Sequence, residues 1–214
     1  MHADHFVDTV TQLVRNYHYQ TKKHGCIVSA YDTELFGHWW FEGVAWIKEV
    51  LRRLAISPDV ELTRAGDYLE AHPPDEVVAI PESSWGKGGD HSTWLNPETD
   101  WMWSLVHAAE RAMESLVANR PSADGELLTT LNQCARELVL LESSDWPFLI
   151  STGQAIEYAR GRFQQHLARF NNLASIAQRG ALNDNDRRFI ENVMSLDNPF
   201  PNIDYRNFGA RESA

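Results

Sequence analysis

From residue 3 to residue 20 apolar positions recur at helical spacing. Phe6, Val10, Leu13, Val14 and Tyr17 fall on one face, which predicts an amphipathic helix. A polar turn leads into a short apolar run, Cys26-Ile27-Val28-Ser29-Ala30-Tyr31, that reads as a strand buried on both faces. Val44, Ile47, Val50, Leu51 and Leu54 resume the helical spacing until Pro58 breaks it. Val60-Glu61-Leu62 then reads as a short strand, Thr63 to Leu69 as a short helix stopped by Pro73-Pro74, and Glu76 to Ile80 as a third strand. This alternation predicts the last segments of a parallel α/β barrel.

Past Pro81 the pattern changes. Residues 82–97 are rich in Gly, Ser and Trp without periodicity, so they read as a long functional loop. Asn96 as N-cap and Pro97 at the first helical position open a helix to about Asn119, with Leu105, Ala109, Ala112 and Leu116 inward. Leu127, Leu131, Leu138 and Leu141 mark the next helix, and 143–150, interrupted by Pro147, reads as a loop. Further helices are expected over 151–173 and 184–194, before an extended tail. The predicted fold is mainly α with a few parallel strands: the end of an incomplete (β/α) barrel over residues 1–89, then a C-terminal helical bundle over 90–214.

Charge narrows the partners. Acidic residues outnumber basic ones by 30 to 19, a formal charge of −11, which disfavours nucleic acid and anionic membrane and suits a neutral polyol. Cys26 and Cys134 match no metal or redox spacing and read as buried apolar residues in a reducing, cytoplasmic setting. No stretch approaches the roughly 20 apolar residues of a membrane span.

Candidate chemistry concentrates in two stretches. Asp32 stands at the C-terminal end of the first predicted strand, where a barrel presents a catalytic carboxylate, or else it is a turn residue beside core tryptophans. Its setting among Tyr31, Phe36 and several Trp predicts partial desolvation, which suits a proton donor. Trp39 and Trp40 are adjacent, so one points to the core and one can reach a cleft; Trp40 is favoured for the cleft. Trp85 and Trp94 lie in the polar loop, where an indole can pack against the C–H face of a sugar or plug the joint between barrel and bundle. His38, Asp90 and His91 suit hydroxyl binding or structural hydrogen bonding equally well. Asp145 is a candidate sugar contact, or else it caps the next helix or forms an Asx-turn.

The wording of these stretches adds a resemblance. YDTELFGHWWFEG (31–43) resembles the fourth sequence motif of glycoside hydrolase family 57 in the form carried by its 1,4-α-glucan branching enzymes. PESSWGKGGDHSTWLNPETDWMW (81–103) resembles the fifth, and SSDWPFLI (143–150) and DNPFPNIDY (197–205) resemble that group's helical domain. The family's first three motifs, including the one with the nucleophilic Glu, have no counterpart in this chain.

The resemblance implies the C-terminal part of a retaining enzyme that cleaves an α-1,4 bond of a glucan and transfers the chain to a 6-hydroxyl. Asp32 would be the general acid/base, with Trp85, Trp94, Trp40, Asp145, His38 and His91 binding substrate. No cofactor or metal is implied. The expected partners are an α-glucan and an N-terminal catalytic part that carries the nucleophile, with self-association through the open barrel edge in its absence. Two rivals stay open: another enzyme of the family, a 4-α-glucanotransferase or amylase, and a non-catalytic glucan-binding module.

Overall fold

The computed structural model describes residues 2–74 and 76–209. The chain forms two compact units, Met1–Ala79 and Ile80–Ala214.

In the first unit, α1 (His2–Thr21) packs against α2 (Gly43–Leu54), and a short α3 (Ala65–Ala71) follows. Trp46 of α2 is the hub of an aromatic cluster. Its ring lies 5.0 Å from Phe6 and 5.0 Å from Trp40, 6.2 Å from Tyr31, and stacks on Phe36 at 6.4 Å. Arg53 ties the two helices by an ion pair to Asp4 at 2.5 Å.

The predicted strands 26–30, 60–62 and 76–80 are not strands. Among the described residues the only strand-like pairing is one isolated bridge, between Phe36 and Trp40. A parallel strand needs neighbours to take up its N–H and C=O groups, and these runs have none. Their side chains show it: Val28, Val78 and Ile80 are exposed, and Val77 is fully so. Periodicity identified them as apolar runs meant for burial, but pairing depends on other strands.

The second unit is a helical bundle of α4 (Asp100–Asn119), α5 (Gly125–Leu141), α6 (Asp145–Thr152), α7 (Ile156–Arg179) and α8 (Asp184–Leu196). α5 and α7 form its central pair, with α4, α6 and α8 packed around them. Met102, Val106, Ala109, Met113 and Leu116 line the inner face of α4 at helical spacing, and Ala159, Phe163, Phe170, Leu173 and Ala177 do the same on α7.

Three boundaries differ from the expectation. α4 starts at Asp100, not at Pro97, because Asn96 closes a separate turn: its side chain accepts from the Glu98 amide (2.9 Å) and its carbonyl from the Asp100 amide (2.9 Å). The segment 145–152 is a helix, since Pro147 falls in the first turn, where its missing N–H has no intrahelical partner to lose. Gly153, at φ 73°, ends that helix in the left-handed region, so α7 begins only at Ile156. The tail also folds back. Tyr205 is fully buried; its hydroxyl donates to the Arg120 carbonyl and accepts from the Ala123 amide, and its own amide donates to Asn132 Oδ1 (3.0 Å).

Candidate functional site

In the second unit the Pro81–Thr99 loop is built by its own polar side chains. The Ser84 hydroxyl donates to the Asp90 carbonyl and accepts from the Gly86 amide (3.0 Å). The Thr93 hydroxyl accepts from the Lys87 amide (3.1 Å), and the Thr99 hydroxyl donates to the Trp94 carbonyl (2.8 Å). Gly86 is required by space: a Cβ there would stand 2.7 Å from the Trp94 ring and 2.8 Å from the Thr93 hydroxyl. Trp103 of α4 anchors the loop by donating its indole N–H to the Trp94 carbonyl (3.1 Å).

This scaffold brings Trp85 and Trp94 together edge to face, 4.9 Å between ring centres. Trp85 also leans on Phe148 of α6 at 5.6 Å, yet its surface remains 77% exposed. A second tie joins the loop to α6: Asn96 Nδ2 donates to Ser151 Oγ (2.7 Å). The Trp94 indole N–H is buried and has no partner among the described residues. A buried donor left so costs about 1–3 kcal/mol.

Asp145 is the first residue of α6, not a loop residue. It is exposed, accepts from the Ser143 hydroxyl (3.2 Å), and stands three positions before Phe148 on the same helix face. His91 is exposed and its Nε2 meets Glu82 Oε1 at 3.0 Å. The Ser92 hydroxyl and amide beside Asp90 hold that carboxyl below the usual carboxylate range.

In the first unit Asp32 precedes a short turn of 3-10 helix, Thr33–Leu35, and its carbonyl accepts from the Leu35 amide (3.0 Å). Its side chain is exposed, so the expected desolvation is not present. The neighbouring rings turn elsewhere: Tyr31 and Phe36 pack on each other (5.5 Å) and on Trp46. The adjacent tryptophans divide as alternation demands, but with the sides exchanged. Trp40 is half-buried against Phe36 and Trp46, while Trp39 is exposed, with His38 beside it at 5.2 Å.

Sequence reasoning missed one constellation. Gln133, Glu137, His166 and Asp197 are buried together in the second unit. His166 Nδ1 lies 2.8 Å from Glu137 Oε2, and its Nε2 lies 3.0 Å from the Arg162 guanidinium. A guanidinium only donates, so Nε2 is the acceptor and the ring proton sits on Nδ1, pointing at Glu137. Gln133 Nε2 donates to Glu137 Oε1 (3.2 Å) and to the Asp197 carbonyl (2.9 Å), and Arg169 pairs with the Asp197 carboxylate.

Glu137, His166 and Asp197 are close enough to hold a metal ion, but the donor set does not fit one. Nδ1 carries a proton, and Arg169 and Arg162 (3.7 Å) already neutralise Asp197. The visible signal was register: His166 continues the apolar stripe of Phe163 and Phe170, and Glu137 sits on the helix that faces it.

Burial pushes the Glu137 carboxyl up, and the Asp197 charge adds to this, against the pull of the His166 and Gln133 hydrogen bonds. A raised carboxyl means that the folded state binds the proton more tightly than the unfolded one. That contribution is fully present below the ordinary value of 4.5 and is lost as pH rises through the folded value. Glu137→Gln removes this group, so the melting temperature of the variant minus that of the natural chain should be more positive at pH 8 than at pH 4. A difference independent of pH would refute the assignment.

The family model described as "1,4-alpha-glucan branching enzyme, C-terminal" matches residues 105–208. Over those residues the chain is similar to that family. It is 42% identical over 201 residues to the 1,4-alpha-glucan branching enzyme TK1436 of Thermococcus kodakarensis, covering 93% of this chain and 30% of the relative.

The crystal structure of that family 57 branching enzyme, in complex with glucose and additives, superposes with a TM-score of 0.76 at 39% identity, over 99% of this chain and 38% of the other. The α-amylase AmyC of Thermotoga maritima superposes less closely, with a TM-score of 0.70 at 28% identity, over 99% and 39%. The chain thus spans 30–40% of the length of these relatives. Among the described residues no helix is long and apolar enough to cross a membrane.

Proposed function

We propose that this chain supplies the acid/base carboxylate and part of the glucan-binding surface of a retaining 1,4-α-glucan branching enzyme of the α-glucan biosynthetic type, active in the cytoplasm. The observation that carries the reading is the exposed Trp85 face, held by Trp94 and Phe148. A flat apolar face in a polar loop is what the C–H face of a glucose unit requires. Asp145, His38 and His91 are further contacts in this reading. The first unit, up to Ala79, would complete the catalytic barrel with strands of the N-terminal part, and the second unit is the helical domain.

Asp32 protonates the leaving oxygen and then deprotonates the acceptor 6-hydroxyl. The nucleophile comes from an N-terminal part, whose strands would pair with the exposed runs around Val28 and Val77 and turn Asp32 into a drier site. Without that part the chain self-associates through the same runs. Greater likeness to branching enzymes than to the α-amylase favours branching over hydrolysis.

The direct test is titration of this chain with maltoheptaose. Trp85→Ala should weaken binding roughly tenfold, the loss of about 1.4 kcal/mol of ring contact. Equal affinity in both proteins would remove Trp85 from the binding surface.

A further inference from the structure

We propose that His166 is a positioning residue for the Trp85 face, acting through Trp146 and α6. The contacts run without a gap inside the second unit. Trp146, the second residue of α6, lies over the His166 ring at 6.0 Å with the planes 25° apart, and its indole N–H donates to the Leu140 carbonyl (2.8 Å). Two residues further on the same short helix, Phe148 carries Trp85, and Ser151 receives Asn96 of the loop. The eight residues of α6 are too few to hold a fixed direction by their own hydrogen bonds, so its orientation comes from its packing on α7, where Trp146 is buried together with Pro147 and Ile150.

What Trp146 rests on is a ring with no freedom. Nδ1–H is committed to Glu137 and Nε2 to Arg162, while Gln133 and Arg169 fix the carboxylates on either side. Both Glu137 oxygens and both ring nitrogens have partners, and Arg162 and Arg169 lie against the Asp197 carboxylate. The product of the cluster is the plane of the His166 ring, and with it the position of a surface tryptophan on the far side of α6. The consequence for sugar binding rests on the glucan reading above, whereas the mechanical coupling does not.

The test uses the full chain labelled with 5-fluorotryptophan, with the Trp85 resonance assigned by its loss in Trp85→Phe. His166→Phe keeps a ring but neither nitrogen, and it should move the Trp85 and Trp146 resonances while those of Trp39 and Trp40 in the first unit stay. His166→Gln retains a donor and an acceptor and should return the Trp85 signal to its natural position, while Trp146, having lost the imidazole beneath it, moves in every variant; His166→Asn, one methylene shorter, should not return Trp85. Maltoheptaose affinity in the same samples should fall roughly tenfold for Phe and Asn and stay within about twofold for Gln, the scale of a lost buried hydrogen bond.

A Trp85 resonance indifferent to His166→Phe, or displaced equally by Gln and Asn, overturns the proposal. If His166→Phe unfolds the unit, the Asn and Gln pair decides. Natural chain that binds no maltoheptaose, with the resonances behaving as expected, would refute the glucan reading and leave the positioning role intact.

Discussion

Asparagine in place of Asp32 should lower branching by the assembled enzyme about 10²- to 10⁴-fold, the contribution of one positioned acid/base group. The substitution keeps the shape of the side chain and its place ahead of the Thr33–Leu35 turn, but it cannot give or take the proton. Leaving-group departure and acceptor attack both lose their proton transfer, because one carboxyl serves both halves of a retaining transfer. The assay is debranching and chain-length analysis of the product, made with this chain, its N-terminal part, and both together. Maltoheptaose affinity should be unchanged, since the Trp85 face lies in a different segment. Full activity in the substituted enzyme would take the acid/base role away from Asp32. Branching by this chain alone would mean that one of its own carboxylates acts as nucleophile.

Phe170→Ala should destabilise the second unit by about 3–5 kcal/mol, a large share of the 5–15 kcal/mol typical of a folded domain. Phe170 is fully buried on α7, and the Cys134 thiol of α5 reaches its carbonyl at 3.8 Å, so it stands between the two central helices. Removing the ring leaves a cavity that two helices already tied by a buried ionic cluster cannot close. Denaturant unfolding followed by near-ultraviolet circular dichroism measures the loss. A change below about 1 kcal/mol would show that the α5–α7 contact is not the core of this unit.

Helical periodicity carried most of the fold into view. The inner faces of α4 and α5 follow Leu, Ala and Met positions that repeat every three or four residues, and no distant partner is needed to recognise them. The strand segments were misread for the opposite reason: Cys26–Ala30 and Glu76–Ile80 have strand composition, but a ladder is a property of several chain segments at once. α6 escaped notice because Pro147 reads as a breaker until its place in the first turn is known.

The site divides along the same line. The Trp85 loop was legible because unpatterned aromatics in a polar loop have few structural reasons to be there. The Glu137–His166–Asp197 cluster was not, because its members lie 29 and 31 residues apart in sequence and only helix packing joins them. The side of Trp40 depended on the turn that Gly37 makes at φ 95°, which alternation cannot supply.

The burial of Tyr205 bears on how the molecule is made. Its bonds to Arg120 and Asn132 span 85 and 73 residues, so the junction between α4 and α5 is sealed by a segment synthesised well after both helices. At a translation rate of about 5–20 residues per second, that junction stays open for several seconds after α4 and α5 are complete. Native order at this junction is therefore reached only once the Tyr205 segment has followed α4 and α5 off the ribosome. A ribosome-stalled chain halted before Tyr205 should be cut by protease at Pro121–Asp124, and one released after it should resist.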